Sequence, residues 1–421
     1  MPGALSHLVV IDLSRVLAGP WCTQLLADLG AEVIKIEKPG TGDDTRSWGP
    51  PFLKDKADRV TAEAAYYLAC NRGKKSVAVD FTQPEGQTVV RDLARRADVV
   101  IENFKVGGLA KYGLDYPSLS AINPRLVYCS ITGFGQTGPY AERAGYDFII
   151  QGMSGFMSVT GERDDLPGGG PQKAGIAISD LMTGMYACSA ILAAVAHRDA
   201  GGSGQYIELS LLDSAVAMMA VMNMNYLVAG VTPGRAGNAH QNIVPYQVFA
   251  CADGHMILAV GNDAQFARFC EAAGRPEWVR DPRYSTNAER VTRRAELVPL
   301  IATVMRARTQ REWLAALEAV GVPCGPINRL DQVFADSQVA SRGMRLDLPH
   351  PLSGTVPQVG NPLHFSATPV AYARAPPLLG EHTAAVLRER LGLPDEAIED
   401  LAARGLIGIA SRGSRTPRVK A

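Results

Sequence analysis

Residues 8–40, LVVIDLSRVLAGPWCTQLLADLGAEVIKIEKPG, read as one βαβ unit. An apolar run gives a strand, the loop SRVLAGP follows, an amphipathic helix runs to Gly30, and EVIKIE gives a second strand. Pro20 fits the first helical turn, where its missing N–H costs nothing, and Gly30 fits the helix end. Strands joined in this way lie parallel with a right-handed crossover, which commits the chain to an α/β fold.

The segments that follow extend the same pattern. EGQTVVRDLARRADVVIENF adds a helix and a strand, and INPRLVYCSITGFG adds another strand ending in a glycine-containing loop. Alternation of this kind predicts a mainly parallel, Rossmann-like sheet covered on both faces. Glu37 stands where dinucleotide-binding folds keep an acidic residue, but the loop before the first helix lacks GxGxxG, which disfavours a dehydrogenase. The loop GTGDDTRSWGPPF carries Arg46 and Trp48. The cluster Arg72, Lys74 and Lys75 precedes a strand, and Lys35, Lys38, Lys105 and Lys111 also fall near strand ends. The cluster reads either as a solvated basic turn or, with the other cations, as a polyphosphate site, since open α/β sheets bind ligands beyond the strands' carboxyl ends.

Further along, AGIAIS reads as a strand ending at Asp180, which opens a long uncharged helix, LMTGMYACSAILAAVA. An aspartate there is either an N-cap contributing about 1 kcal/mol or a carboxylate kept ionised and aimed for nucleophilic attack, and the two roles are compatible. The stretch VTPGRAGNAHQ marks a domain boundary. A small α+β domain is expected over 225–329, opening with a hairpin around Asp253-Gly254 and continuing as three helical patterns. The large domain takes 1–220 and 330–410, with 411–421 as a flexible basic tail.

Composition bounds the function. Lys+Arg and Asp+Glu are both 42, so no global field draws the chain to nucleic acid or an anionic membrane. The seven cysteines and seven histidines are scattered without ligand spacing, so neither a disulfide framework nor a metal is expected, and a reducing cytoplasm fits. The N-terminal residues carry no basic n-region and no Arg-rich amphipathic stretch, so no targeting segment is expected. Leu181–Ala196 and Ser214–Gly234 approach membrane-span length, but small and polar interruptions favour buried helices.

Taken together, RVLAGPWCTQLLADLGAEVIKIEKPGTGDDTR, NRGKKSVAVDF, IENFKVGGL, SITGFGQTGPY, GYDFIIQ, ISDLMTGMYA, GSGQYIELSLLDSA, VPCGPIN and PPLLGEHT resemble the family III coenzyme A transferases (CaiB/BaiF type) over nearly the whole chain. The resemblance implies that Asp180 is the catalytic nucleophile. It implies a homodimer of interlocked rings, each with a large domain assembled from both chain ends and an inserted small one. It also implies coenzyme A contacts at Arg15, Val16, Leu17 and Ala18, at Lys38, at Asn71, Arg72, Lys74 and Lys75, and at Asn103, Phe104 and Lys111. No permanent cofactor is expected, with coenzyme A entering as a substrate. Gly237 and the stretch GNAHQN are candidate oxyanion donors, although the formyl-CoA transferase branch has a longer glycine-rich loop there.

Within the family, RVLAGP, GDDTRSWGPPF, NAHQNIVPYQVF and GVPCGPINRLDQVFADSQV most resemble enzymes moving CoA from succinyl-CoA to dicarboxylates, the glutarate type in particular. A second carboxylate calls for a further cation, and Arg15 and Arg46 are the candidates, with His240 and Tyr146 as secondary contacts. The racemase branch carries His where this chain has Tyr146, a poor acid–base substitute near neutrality. A CoA-binding protein without turnover would have lost Asp180 or the basic cluster, and both are present. Cys324 reads as a small packed residue and His382 as a capping or structural histidine.

Overall fold

The computed structural model describes residues 3–410, so the basic tail at 411–421 lies outside the described residues. Seven strands form the main sheet: β1 (Val9–Asp12), β2 (Glu32–Glu37), β3 (Lys75–Val79), β4 (Val99–Glu102), β5 (Val127–Thr132), β6 (Tyr206–Ser210) and β7 (Ile407–Gly408). Their order is β7-β3-β2-β1-β4-β5-β6. All neighbours are parallel except β7, which closes the β3 edge antiparallel.

Side chains alternate across these strands, so each strand feeds two cores. Val10, Val33, Val99, Ile101 and Cys129 face helices α1 (Ala18–Asp28), α4 (Ile178–Asp199) and α5 (Leu211–Met218). Ile11, Ile34, Val77, Val100 and Tyr128 face the opposite layer, in which helices α2 (Pro84–Ala94), α6 (Thr383–Leu391) and α7 (Asp395–Ala403) take part. The doubly covered sheet read from the sequence is therefore present. Helix α1 is not the amphipathic surface helix its pattern suggests: ten of its eleven residues are buried, because it lies between the sheet and α4. Helix α4 is apolar and long enough to cross a membrane, yet Ala187, Ile191, Ala194 and Val195 pack into this core.

The AGIAIS run departs from the expectation. It forms no strand; α4 already starts at Ile178, so Asp180 is the third residue of the helix rather than its cap. The run has no neighbouring strand to pair with, and apolar composition alone does not make one. Helix α3 (Asp147–Met153) instead supplies what this turn needs, since the Asp147 carboxylate accepts the Ser179 N–H at 2.8 Å.

The chain divides into two compact units. Of the described residues, the first takes those up to Ser154, Ala174–Ala220 and those from Gln338 onward. The second takes Gly155–Lys173 and Val221–Ser337. Segment 155–173, assigned above to the large domain, belongs to the second unit because Arg235 binds it through the Glu162 carbonyl and the Asp164 carboxylate, and the Gly237 N–H donates to Gly161. The second unit has its own three-stranded antiparallel sheet, with Cys324–Pro326 against His255–Ala259 against Tyr246–Ala250. Phe249, Met256, Phe266, Phe269, Trp313 and Leu317 form its core.

Candidate active site

Within the first unit, the carboxyl ends of the parallel strands open into a cavity of about 850 Å³. Each wall follows one strand. Leu13, Arg15, Val16 and Ala18 come after β1, and Lys38 with Thr41–Asp44 after β2. Asp80, Phe81 and Thr82 follow β3, and Asn103–Val106, Gly108, Lys111 and Tyr112 follow β4. Gly133 and Ala141–Tyr146 follow β5, Leu211 follows β6, and Asp180 enters from α4.

Asp180 is held by close helix packing. A Cβ at Gly184 would sit 2.7 Å from the Ala18 carbonyl oxygen, so only glycine lets the start of α4 approach the start of α1 this closely. That approach aims the Ala18 backbone N–H at the Asp180 carboxylate. Burial and the neighbouring Asp147 charge push the Asp180 pKa up to about 7 against that hydrogen bond. Burial and the Asp180 charge push the Tyr66 phenol up to about 12, so it stays protonated. Trp48 meets Tyr66 edge-on at 5.1 Å between ring centres.

A pH dependence follows. With Asp180 as the nucleophile that the resemblance implies, the carboxylate is the attacking form, so activity is expected to be full above the Asp180 pKa and lost as pH falls through about 7. We expect kcat/KM to fall about tenfold per pH unit on the acid side. A profile flat between about pH 5.5 and 8 would contradict this environment for Asp180.

The floor of the cavity rests on buried ion pairs. Lys35 bonds the Asp43 carboxylate at 2.9 Å and the Ser14 carbonyl at 2.8 Å. Lys74 bonds Asp12 at 3.1 Å, Asn71 at 2.8 Å and the Pro20 carbonyl at 2.9 Å. Burial opposes ionisation of Asp43, yet the Lys35 ammonium prevails and holds its pKa down to about 2. Val16, a β-branched residue, sits at φ 70°, where its N–H reaches both Asp43 oxygens at 3.3 Å. Such strain persists only where surrounding contacts fix it, and here it shapes the loop after β1.

Several expected residues meet in this cavity. Arg15, Val16, Ala18, Lys38, Asn103, Phe104, Lys111 and Tyr146 all line it with Asp180. Asn103 clamps the Arg15 backbone from both sides, accepting its N–H at 2.8 Å and donating to its carbonyl at 2.7 Å. The Arg15 guanidinium pairs with Asp44 at 3.0 Å and lies 5.2 Å from the Phe104 ring centre. Tyr146 is 62% exposed, so its ring is not packed in a core.

Others are not there. Leu17 is buried below the cavity wall. Asn71, Arg72, Lys74 and Lys75 lie at the amino end of β3 and are not among the residues that line the cavity; the Lys74 ammonium reaches under it to pair with Asp12. Arg72 is neutralised by two bonds to Asp28, at 2.8 and 2.6 Å, and Lys75 by Glu32 at 2.7 Å. Arg46 is also turned inward: two of its donors hold Glu37 at 2.8 Å each, a third reaches Glu63 at 3.2 Å, and its guanidinium covers the Tyr67 ring at 3.6 Å. With its donors committed, it has no free fork for a substrate carboxylate. His240 and Gly237 belong to the second unit, where the His240 Nδ1 accepts the Asn242 N–H at 3.0 Å.

Sequence reasoning missed Asp80–Thr82, Arg143 and Asp147. The first three follow β3 directly, so the rule that ligands bind beyond strand carboxyl ends would have found them had it been applied after the strand rather than before it.

A parallel α/β sheet whose strand ends surround one carboxylate nucleophile candidate and several cations defines a group-transfer enzyme for an anionic substrate. The chain belongs to CoA-transferase family III, whose sequence profile matches residues 5–383. It is 55% identical to the succinate–glutarate CoA-transferase of Agrobacterium fabrum over 385 residues, 91% of this chain and 95% of that one. The succinyl-CoA:glutarate CoA-transferase of Mus musculus is 44% identical across 96% of this chain and 90% of its own. The crystal structure of a CaiB/BaiF family protein from Brucella suis superposes with a TM-score of 0.81 at 49% identity, covering 93% of this chain and all of that one. The protein is thus a CoA-transferase with the mixed α/β architecture of the CaiB/BaiF structures.

Proposed function

We propose that this enzyme moves CoA from succinyl-CoA to a dicarboxylic acid of the glutarate type, with Asp180 as the nucleophile. The observation that carries the reading is the Asp180 carboxylate at the cavity wall, with the Ala18 N–H aimed at it. The activities named for the relatives supply the substrate class.

The chemistry is a sequence of acyl exchanges. An Asp180 oxygen attacks the thioester carbonyl, the C–S bond breaks, and CoA thiolate leaves a mixed anhydride of Asp180 and succinate. The thiolate then attacks the aspartyl carbonyl and expels succinate, giving an aspartyl-CoA thioester. Glutarate attacks that thioester, releasing thiolate and forming a new mixed anhydride. The thiolate finally attacks the glutaryl carbonyl and frees Asp180. Overall one thioester is replaced by another of similar energy, and no proton or electron is left over. The Ala18 N–H takes negative charge as it moves between Asp180 and the acyl oxygen.

The proposal includes a homodimer, interlocked as the family resemblance implies, and residence in the cytoplasm. Large apolar side chains on α3 and α4, among them Ile149 at 48% exposure and Met185 at 45%, support a partner surface there. The test is intact-mass analysis after mixing with succinyl-CoA alone. A covalent CoA-sized adduct released by glutarate is expected. If no adduct forms and solvent deuterium enters a 2-methylacyl-CoA instead, the transferase reading of the site fails.

A further inference from the structure

With Arg46 and Arg72 sealed in ion pairs and Arg15 held by Asp44, a different guanidinium is left facing the cavity. Arg143 is exposed and lines it, in the loop between β5 and α3. Among the described residues no carboxylate lies within ion-pair distance of it. Its position is nonetheless set, because the guanidinium carbon lies 4.6 Å from the Tyr140 ring centre and 5.5 Å from that of Phe134. The Arg143 N–H also closes a turn onto the Tyr140 carbonyl at 2.9 Å.

The base of the loop is pinned as well. Gly133 and Gly145 meet backbone to backbone, so that a Cβ on either would collide with the Cα of the other. A charge carried on a fixed loop and stacked on two rings loses little freedom on binding, and its planar fork matches an oxyanion.

We infer that Arg143 is an anion-binding residue for the acyl-CoA substrate, taking either a CoA phosphate or the far carboxylate of the acyl group. Both present planar-fork acceptors to a guanidinium. The carboxylate alternative rests on the dicarboxylate reading above; the phosphate alternative rests only on the family.

The test is calorimetry on the whole enzyme in an Asp180→Asn background, which removes turnover. The probes are CoA, succinyl-CoA and butyryl-CoA, the last being the four-carbon acyl chain without the far carboxylate. If Arg143 holds a phosphate, Arg143→Gln weakens all three by about tenfold or more, with Arg143→Lys recovering part of the loss. If it holds the carboxylate, CoA and butyryl-CoA bind as before and the preference for succinyl-CoA over butyryl-CoA disappears. Unchanged binding of all three, with an unchanged melting temperature, overturns the inference. These readings need no acceptor acid, so failure of the glutarate assignment shows separately, in the adduct assay on the unsubstituted enzyme.

Discussion

Asp180→Ala is expected to remove CoA transfer, lowering kcat by at least about 10⁴-fold, with CoA affinity changed little. The site explains both halves. In the proposed mechanism the Asp180 carboxyl group takes part in every covalent step, whereas the cations of the cavity come from other loops and keep their own supports. Asp180→Asn separates chemistry from packing. Because burial and Asp147 raise the Asp180 pKa to about 7, the charged form disfavours folding. The stability contribution of this group is present below its unfolded pKa near 4 and is lost as pH rises through about 7. The asparagine variant should therefore melt above the parent at pH ~8, the gap narrowing toward pH ~4, while remaining inactive. Retention of more than about a hundredth of parental kcat in Asp180→Ala would remove it as nucleophile.

Arg46→Ala is expected to act on stability, not on substrate affinity. Removing one partner leaves the Glu37 carboxylate, which is 4% exposed, without its two-pronged guanidinium, and leaves Glu63 without the guanidinium paired with it. Breaking a buried pair in this way costs about 3–5 kcal/mol, or a melting temperature lower on the order of 10 °C. Lysine cannot span both Glu37 oxygens, so Arg46→Lys should recover only part of the loss. Calorimetric melting of the two variants checks this. A selective rise in glutarate KM at unchanged melting temperature would return Arg46 to the substrate site.

The contrast between Asp180 and Arg46 shows how far the sequence could be read. Strand and helix periodicity exposed the βαβ unit and the parallel sheet, because each strand's alternation faces two separate cores. Linked motifs marked Asp180. What could not be read was the burial of cations. Arg72 is cancelled by Asp28, 44 positions away, and Lys74 by Asp12, 62 away, so nothing local distinguishes a structural lysine from one that waits for a phosphate. Arg143 escaped notice for the reverse reason. It sits beside Glu142 in a loop with no second basic residue, and only the folded chain sets it over Phe134 and Tyr140. The segment 155–173 likewise carries no composition change to announce that it packs with residues far along the chain.

Because each wall of the cavity hangs from its own strand end, the walls form a set of separately replaceable parts on a common frame. The frame's charges are neutralised in buried pairs, Lys35 with Asp43 and Lys74 with Asp12. A lineage built in this way can exchange the loop after one strand while the helix that carries Asp180 and the loops after the other strands are inherited intact.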